Sequence, residues 1–360
     1  MKKDSKKLTV AIGLSGGVDS SVAAAILKNQ GYKVIGFFLH FWSEEIKGEC
    51  RDNICCSLDA QEDARRVATD LGIPFYTLNL KNKFKEKIVD NFLADYEAGQ
   101  TPNPCVRCNT FIKFGEFMKK AQVLGVDFLA TGHYAKIKKV NNGNKTVYHL
   151  LNAKDKNKDQ TYFLHGLNQK QLAKIIFPVG GMKKDEVRKL AEILKIKTAK
   201  KKESQEVCFV HKGLADFLSR YLKLKQGSIV DKLTGKVLGK HSGRQLFTFG
   251  QRKGLGLGGG PWFVVGFDNI KNTVFVSNNE KELLVKEFLI KEVNWLAGFP
   301  KEQKNIKCCV RYHGDLVGCE IKKSGKFIKV ICKKPLRAVT TGQSCVFYHG
   351  PECLGGGLIM

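Results

Sequence analysis

The chain has 360 residues, of which 43 % are hydrophobic, and this size predicts roughly two to three domains with packed cores. Its 61 Lys and Arg residues outnumber 34 Asp and Glu residues, so the net charge is +27. That charge favours a polyanionic partner such as RNA, although a lysine-rich proteome would give the same excess. No apolar run approaches the roughly 20 residues that span a membrane, and the start of the chain lacks the apolar core of a signal peptide. We therefore expect a cytoplasmic protein with no membrane partner.

The first two hundred residues alternate strand-like and helix-like segments. Strands are predicted at 8–14, 33–41, 73–80 and 126–135, and helices at 20–31, 58–72, 85–99 and 111–125. Because the connections are short, this alternation predicts an α/β fold with a doubly wound parallel sheet.

The remainder of the chain has a different character. A hairpin is predicted around NNGN and a helix at 183–196, and the chain becomes Gly-rich and β-like after residue 225. Turns are predicted at 233–235 and 268–272, and short strands alternate from about residue 280 in the pattern of a β-barrel. We predict a catalytic domain at 1–210, a small central domain at 211–279 and a C-terminal β-barrel at 280–360.

The loop GLSGGVDSS (13–21) lies between the first predicted strand and the first predicted helix. Gly16 and Gly17 allow the backbone to curl around an anion, and the helix N-terminus adds partial positive charge. The lysine of the Walker pattern is absent, and Asp19 is a candidate ligand for Mg²⁺. The pattern therefore predicts a site that holds pyrophosphate; the alternative is a Gly-rich turn without a nucleotide.

The segment TPNPCVRCN (101–109) places Cys105 and Cys108 three residues apart, and its prolines predict a loop. In a large protein with no secretory signal, twelve cysteines indicate free thiols, a metal site or catalysis rather than a disulfide framework. The spacing alone fits a metal clip, a redox pair, a single nucleophile or idle thiols.

Two sets of motifs carry a family resemblance. SGGVDSS resembles the PP-loop of ATP pyrophosphatases, which form an adenylate and release pyrophosphate. The ordered motifs that follow resemble those of the tRNA-specific 2-thiouridylases over essentially the whole chain: TPNPCVRCNTFIKFG (101–115), ATGHYA (130–135), KDQTYFL (158–164), SQEVCFV (204–210), FTFGQRKGLG (247–256) and VRYHG (310–314).

The resemblance implies a reaction and its partners. ATP, with Mg²⁺, adenylates the C2 oxygen of the wobble uridine in tRNAs for Lys, Glu and Gln, and sulfur then displaces AMP to give 2-thiouridine. The sulfur comes from a donor protein, either a cysteine desulfurase or a sulfur relay protein. Cys208 is implied to carry a persulfide that Cys108 attacks, which frees the sulfur or forms a disulfide. We expect Arg107 and the lysines before Cys208 to lower the pKa of these thiols.

The resemblance also implies the binding residues. The nucleotide contacts are Gly13, Leu14, Ser15, Gly16, Gly17, Val18, Asp19, Ser20, Leu39 and Gly132, with Asp19 counted among the catalytic residues. The tRNA contacts are Asn103, Pro104 and Cys105 at the target base, and Lys158, Asp159, Gln160, Arg311 and Tyr312 elsewhere.

Cys105 departs from the family pattern, which has Asp at this position. One interpretation is that Cys105, Cys108 and Cys208 hold a [4Fe–4S] cluster, which leaves one iron open for sulfide. The other is that Cys105 is a small residue in place of the usual Asp. Two further alternatives are an amide-forming PP-loop ligase and an RNA-binding protein without catalysis.

Overall fold

A computed structural model describes residues 7–46, 49–52, 57–143, 145–201, 207–210 and 213–360. In chain order, the first elements are β1 (Thr9–Gly13), α1 (Val18–Asn29), β2 (Lys33–His40), β3 (Ser43–Ile46), β4 (Glu49–Asp52), α2 (Leu58–Asp70) and β5 (Phe75–Asn79). Two longer helices follow, each made of three successive runs: α3 (Lys81–Phe84, Lys85–Val89 and Asp90–Glu97) and α4 (Pro104–Arg107, Cys108–Glu116 and Phe117–Val123). After them come β6 (Phe128–Ala130), β7 (Lys136–Asn142), β8 (Lys145–Leu151), α5 (Gln169–Leu172), β9 (Ile175–Ile176) and α6 (Lys184–Ile193).

Five parallel strands form the central sheet in the order β5-β2-β1-β6-β9. Side chains alternate across the sheet, so Ala11 packs with α3 and α4 while Val10 and Ile12 pack with α1, α2 and α6. Helices thus cover both faces, which confirms the predicted doubly wound α/β fold. The strand order reverses between β1 and β6, and ligands bind such sheets at this point, beyond the carboxyl ends of the strands.

The segment TPNPCVRCN is not the loop that its prolines predicted. Helix α4 begins at Pro104, and the Asn103 side chain caps it by accepting a hydrogen bond from the Val106 N–H at 3.4 Å. Proline is favoured at a first helical position because its missing N–H has no intrahelical acceptor there. The prediction failed because Pro104 starts a helix, and as a result Cys105 and Cys108 lie three apart on one helical surface.

The central part of the chain contains α7 (Leu214–Tyr221), β10 (Gly227–Asp231), β11 (Val237–His241), β12 (Phe263–Asp268) and β13 (Thr273–Ser277). Its sheet has the order β11-β10-β13-β12. The turns predicted at 233–235 and 268–272 join β10 to β11 and β12 to β13, which confirms both.

The C-terminal strands are β14 (Leu284–Trp295), β15 (Lys307–Cys309), β16 (Val317–Ser324), β17 (Phe327–Arg337), β18 (Ser344–His349) and β19 (Glu352–Ile359). They follow the order β14-β17-β16-β15-β18-β19, and β19 pairs back with β14, so the predicted barrel is confirmed and is closed. The β7–β8 hairpin, which precedes the central part, extends this sheet through Leu151 and Glu352. The boundaries at 210 and 280 stay predictions. Within the described ranges, no helix is long and apolar enough to cross a membrane.

Candidate active site

A cavity of about 310 Å³ lies beyond the carboxyl ends of β1, β2 and β6, at the reversal of strand order. Its size falls within the range of small-molecule sites, roughly 300–1,000 Å³. The structure brings a large share of the predicted site residues to its walls: Gly13, Leu14, Ser15, Asp19, Ser20, Leu39, Pro104, Cys105, Cys108, Gly132, Gln160 and Cys208.

The loop between β1 and α1 is held by its own hydroxyl groups. The Ser20 hydroxyl donates to the Gly17 carbonyl at 3.0 Å and accepts from the Ser15 N–H at 3.2 Å. Gly17 is the N-cap of α1 and has no side chain with which to cap the first turn, as suits a turn that binds an anion. Gly16 has φ +68°, and a Cβ there would lie 2.4 Å from the Ala60 carbonyl oxygen, so glycine is required.

Gly132 allows the segment after β6 to approach the first turn of α1. A Cβ at this position would lie 2.6 Å from the Ser20 nitrogen and 2.7 Å from the Asp19 carbonyl carbon. The close approach is thus to the backbone of the loop, and Gly132 also borders the cavity. This glycine therefore affects the position of the backbone groups that the sequence assigned to the nucleotide.

Asp19 carries an ion pair that the sequence did not predict. Lys184, the first residue of α6, donates from Nζ to Asp19 Oδ1 at 2.7 Å and Oδ2 at 2.8 Å, and Tyr134 donates its hydroxyl to Oδ1 at 2.7 Å. Lys184 is buried, with 7 % of its surface exposed. A carboxylate has about four acceptor positions, so Asp19 fits the role of a Mg²⁺ ligand if the cation shares it with Lys184 or displaces it.

The three cysteines of the predicted site all line the cavity. Cys105 and Cys108 come from α4, and Cys208 comes from a short segment that is anchored by the buried Phe209. The Phe209 ring lies 5.1 Å from Phe92 and 5.5 Å from Phe217, between centroids. This aromatic packing holds Cys208 at the cavity wall, where it is close enough to raise the pKa of Cys105.

The surroundings of Cys105 perturb its thiol. Its side chain is accessible from the cavity, yet protein atoms surround the thiol closely, and this burial raises its pKa to about 11. Cys208 raises that pKa further, and Lys113 opposes both effects. Cys105 is therefore a neutral thiol at pH 7, and neither an acceptor like the Asp of the family pattern nor a ready nucleophile.

Lys113 lines the cavity and lowers the pKa of the Cys105 thiol, whereas Arg107 is not among the lining residues. Arg107 donates from Nε to the Lys87 carbonyl at 3.3 Å, and its guanidinium lies 5.2 Å from the Phe111 ring centroid, away from the cavity walls. Lys113 follows Cys105 by eight residues and faces the cavity. Of the lysines before Cys208, Lys201 pairs with Asp63 at 2.6 Å, and Lys202 lies outside the described residues.

His133 borders the same cavity. Its Nδ1 lies 2.7 Å from the Thr131 hydroxyl, and burial, with a smaller contribution from Lys113, holds its pKa well below the usual value. The imidazole is therefore neutral at pH 7, able to exchange a hydrogen bond but not to contribute charge.

No group of three or more His, Cys, Asp or Glu side chains in the described ranges is arranged to hold a metal ion. Those ranges include Cys105, Cys108 and Cys208. The cluster interpretation therefore has no support from their arrangement.

Family models described as the tRNA methyl transferase HUP domain, the tRNA methyl transferase PRC-barrel domain and the aminomethyltransferase beta-barrel domain match residues 8–212, 215–278 and 285–359. The tRNA-specific 2-thiouridylase MnmA of Enterococcus faecalis is 44 % identical over 368 residues, which cover 99 % of this chain and 96 % of the relative. The tRNA-specific 2-thiouridylase MnmA of Geobacter metallireducens is 44 % identical over 370 residues, with 99 % and 98 % covered.

This chain belongs to the tRNA-specific 2-thiouridylase family. The resemblance seen in the ordered motifs is thereby confirmed. Membership extends over all three parts of the chain, because each part matches its own family model.

In this family member, the two segments predicted to contact tRNA away from the target base lie side by side. The Tyr312 ring is 4.4 Å from the Phe163 ring, which follows KDQ in the sequence, and 3.9 Å from the His313 ring, between centroids. Arg311 is exposed. Such an exposed cation beside stacked rings suits phosphate and base contacts.

Asp159 and Gln160 make contacts within the protein. Asp159 Oδ2 accepts from the Ala153 N–H at 2.6 Å and Oδ1 from the Thr161 N–H at 3.1 Å, while Gln160 Oε1 accepts from the Tyr134 N–H at 2.9 Å. These bonds order the segment around Lys158, which is half-buried. Gln160 also reaches the cavity wall, so this segment joins the cavity to the Tyr312 rings.

The barrel positions the loop that precedes α4. Gln343 donates from Nε2 to the carbonyls of Thr101 at 2.9 Å and Pro102 at 3.2 Å, and the Thr101 N–H donates to the Thr341 carbonyl at 2.9 Å. Sequence reasoning missed Gln343, as it missed Lys113, Tyr134 and Lys184. Two of them had a signal in the sequence, since Lys113 lies in the motif TPNPCVRCNTFIKFG and Tyr134 lies in ATGHYA. Lys184 and Gln343 lie in none of the family motifs.

Proposed function

We propose that this protein is an ATP-dependent tRNA-uridine 2-sulfurtransferase that makes 2-thiouridine at the wobble position of tRNAs for Lys, Glu and Gln. One observation carries the proposal: a single cavity joins the phosphate loop at Ser15–Ser20 to Cys108 and Cys208. The relatives named above are 2-thiouridylases, and their likeness to this chain over its full length supports the same activity.

The loop and the first turn of α1 bind the phosphates of ATP. Backbone N–H groups and the helix N-terminus face the anion, and Ser15 and Ser20 offer hydroxyl groups. Leu39 and Gly132 border the remainder of the nucleotide. Mg²⁺ held by Asp19 would offset phosphate charge. The C2 oxygen of uridine attacks the α-phosphorus, the bond to the bridging oxygen breaks, and pyrophosphate leaves with the electron pair.

Sulfur transfer uses Cys108 and Cys208, which line the same cavity. A sulfur donor protein loads Cys208 as a persulfide. The Cys108 thiolate attacks the inner sulfur, a Cys108–Cys208 disulfide forms, and the terminal sulfur leaves as hydrosulfide, which attacks C2 and displaces AMP. A cellular dithiol then reduces the disulfide. In the alternative route, the terminal sulfur of the Cys208 persulfide attacks C2 and displaces AMP; the Cys108 thiolate then attacks the Cys208 sulfur of this adduct, 2-thiouridine leaves, and the Cys108–Cys208 disulfide forms.

At Cys105, a neutral thiol stands in place of the Asp of the family pattern. Its raised pKa removes it from the nucleophilic step, because the thiolate is the reactive form. Together with Asn103 and Pro104, it borders the place where the flipped uridine would enter. The basic surface, Arg311, Tyr312 and Lys158 hold the remainder of the tRNA.

The proposal is tested with Cys108→Ser and Cys208→Ser, each assayed for 2-thiouridine and for pyrophosphate release in the presence of tRNA. Both variants are expected to lose thiolation and to retain pyrophosphate release, because adenylation does not use either thiol. Cys319→Ala, which removes a buried barrel thiol outside the cavity, is the control and is expected to retain both.

Other outcomes would separate the alternatives. Full activity of both serine variants with ammonia as the nucleophile would indicate an amide-forming ligase. Tight, salt-sensitive tRNA binding without any pyrophosphate release would indicate an RNA-binding protein that lacks catalysis.

A further inference from the structure

Lys184 provides a positive charge next to the phosphate loop, whose own sequence contains no lysine. The loop lacks the lysine that reaches the β- and γ-phosphates in Walker-type sites. Lys184, 165 residues along the chain from Asp19, brings a cation to this loop, with Nζ at 2.7 and 2.8 Å from the two Asp19 carboxylate oxygens. Asp19 itself lines the cavity.

The backbone of Lys184 is fixed, and only its side chain is able to move. Its N–H donates to Asp155 Oδ2 at 2.9 Å at the start of α6. Val187 and Ala191, on the same helix, are fully buried in the core that contains α1. The ammonium group is thus carried on a flexible four-carbon stem from a rigid base next to the loop.

The burial of Lys184 requires an anionic partner at all times. A buried charge that loses its partner is strongly destabilising, and the partner here is Asp19. Asp19 is also the residue that suits Mg²⁺, and a divalent ion on the carboxylate weakens its attraction for the lysine. A phosphate oxygen at the first turn of α1 would then be the nearest replacement anion.

We propose that Lys184 is a pyrophosphate-binding residue whose ammonium group moves from Asp19 to a phosphate oxygen when Mg²⁺ and the nucleotide bind. The inference rests on the proposed function, because it assigns the charge that stabilises the departing pyrophosphate. The positive charge of Lys184 lies beside the oxygen that receives the electron pair when the bond to the α-phosphorus breaks.

The test is calorimetric binding of inorganic pyrophosphate, with and without Mg²⁺, and of AMP to the full chain. Lys184→Met is compared with Lys189→Met, an exposed lysine of the same helix. We expect K184M to bind magnesium pyrophosphate roughly 10- to 100-fold more weakly, as for the loss of a charge-assisted hydrogen bond, and to bind AMP as the wild type does. K189M is expected to match the wild type for both ligands.

A second comparison uses Asp19→Asn and the double variant D19N/K184M, of which the double variant removes both charges of the ion pair. In Asp19→Asn, Lys184 has lost the Asp19 carboxylate, so pyrophosphate without Mg²⁺ is expected to bind more tightly than to the wild type, and the gain from Mg²⁺ is expected to vanish. The double variant D19N/K184M is expected to bind Mg²⁺-free pyrophosphate roughly 10- to 100-fold more weakly than D19N.

Two results would overturn the inference: equal pyrophosphate affinity of D19N and D19N/K184M, or a parallel loss of AMP and pyrophosphate affinity in K184M, which a purely structural ion pair would produce. A wild-type chain that binds neither AMP nor pyrophosphate would instead refute the proposed function. The two failures are therefore distinguishable.

Discussion

Gly132→Ala should displace the phosphate loop without removing any polar group. The added Cβ would lie 2.6 Å from the Ser20 nitrogen and 2.7 Å from the Asp19 carbonyl carbon, both backbone atoms of α1. Ordinary contact begins near 3.4 Å, so the two segments must separate by roughly 0.8 Å. Because backbone of a packed helix cannot rotate away as a side chain does, the shift is transmitted to the loop at Ser15–Ser20.

The expected cost has two parts. Overpacking of a well-packed contact lowers the free energy of unfolding by about 1–3 kcal/mol. A displacement approaching 1 Å at a binding loop weakens function by up to about 100-fold, since hydrogen bonds from backbone N–H groups depend steeply on distance. We expect AMP and magnesium pyrophosphate both to bind at least tenfold more weakly, in contrast to K184M, which spares AMP.

The measurements are urea unfolding and calorimetric binding of each ligand. Gly181→Ala is the matched control, because no atom lies within 4 Å of a Cβ at Gly181. It is expected to leave both quantities unchanged. A G132A chain with wild-type stability and wild-type affinity for both ligands would refute the reasoning that this contact sets the position of the loop.

Three further predictions concern the surroundings of the cavity. In a C108S/C208S background, the alkylation rate of Cys105, followed by peptide mass spectrometry, should rise about tenfold per pH unit up to a midpoint that burial keeps above the ordinary thiol pKa but that lies below the value of about 11 in the intact chain, because Cys208 no longer contributes; Lys113→Met should move this midpoint higher, and a midpoint near 8.5 would contradict the burial of this thiol. Tyr134→Phe removes the 2.7 Å bond to Asp19 and should lower the urea unfolding free energy by about 1–2 kcal/mol, a loss that should disappear in D19N if the bond is its cause. Gln343→Ala should slow thiolation about tenfold with unchanged AMP affinity, whereas equal slowing by Gln122→Ala, at an exposed position, would show that the effect is unspecific.

Local features of the chain were readable from the sequence because their causes are local. Alternating apolar segments of helix and strand length predict a wound sheet, and the glycines of the first loop predict a tight turn at a helix N-terminus. The two central hairpin turns were likewise found by composition, since Gly and Asn relieve the backbone constraints of such turns. The family resemblance rested on ordered motifs rather than on any of these patterns.

The error at TPNPCVRCN has a local cause as well. Proline marks loops in general, but at the first position of a helix it costs nothing, because that position needs no N–H donor. The sequence alone does not distinguish a proline within a loop from a proline at the first position of a helix. In the helix that begins at Pro104, Lys113 faces the cavity, whereas Arg107 donates to the Lys87 carbonyl.

By itself, the sequence determined the wound sheet, the barrel, the phosphate loop and the candidate cysteines. The tertiary structure alone decided which charges meet. Lys184 reaches Asp19 across 165 residues, and Gln343 reaches Thr101 across 242, because helix α6 packs on α1 and the barrel packs on the loop before α4. No periodicity or spacing encodes such contacts, since they depend on how separate elements pack against one another.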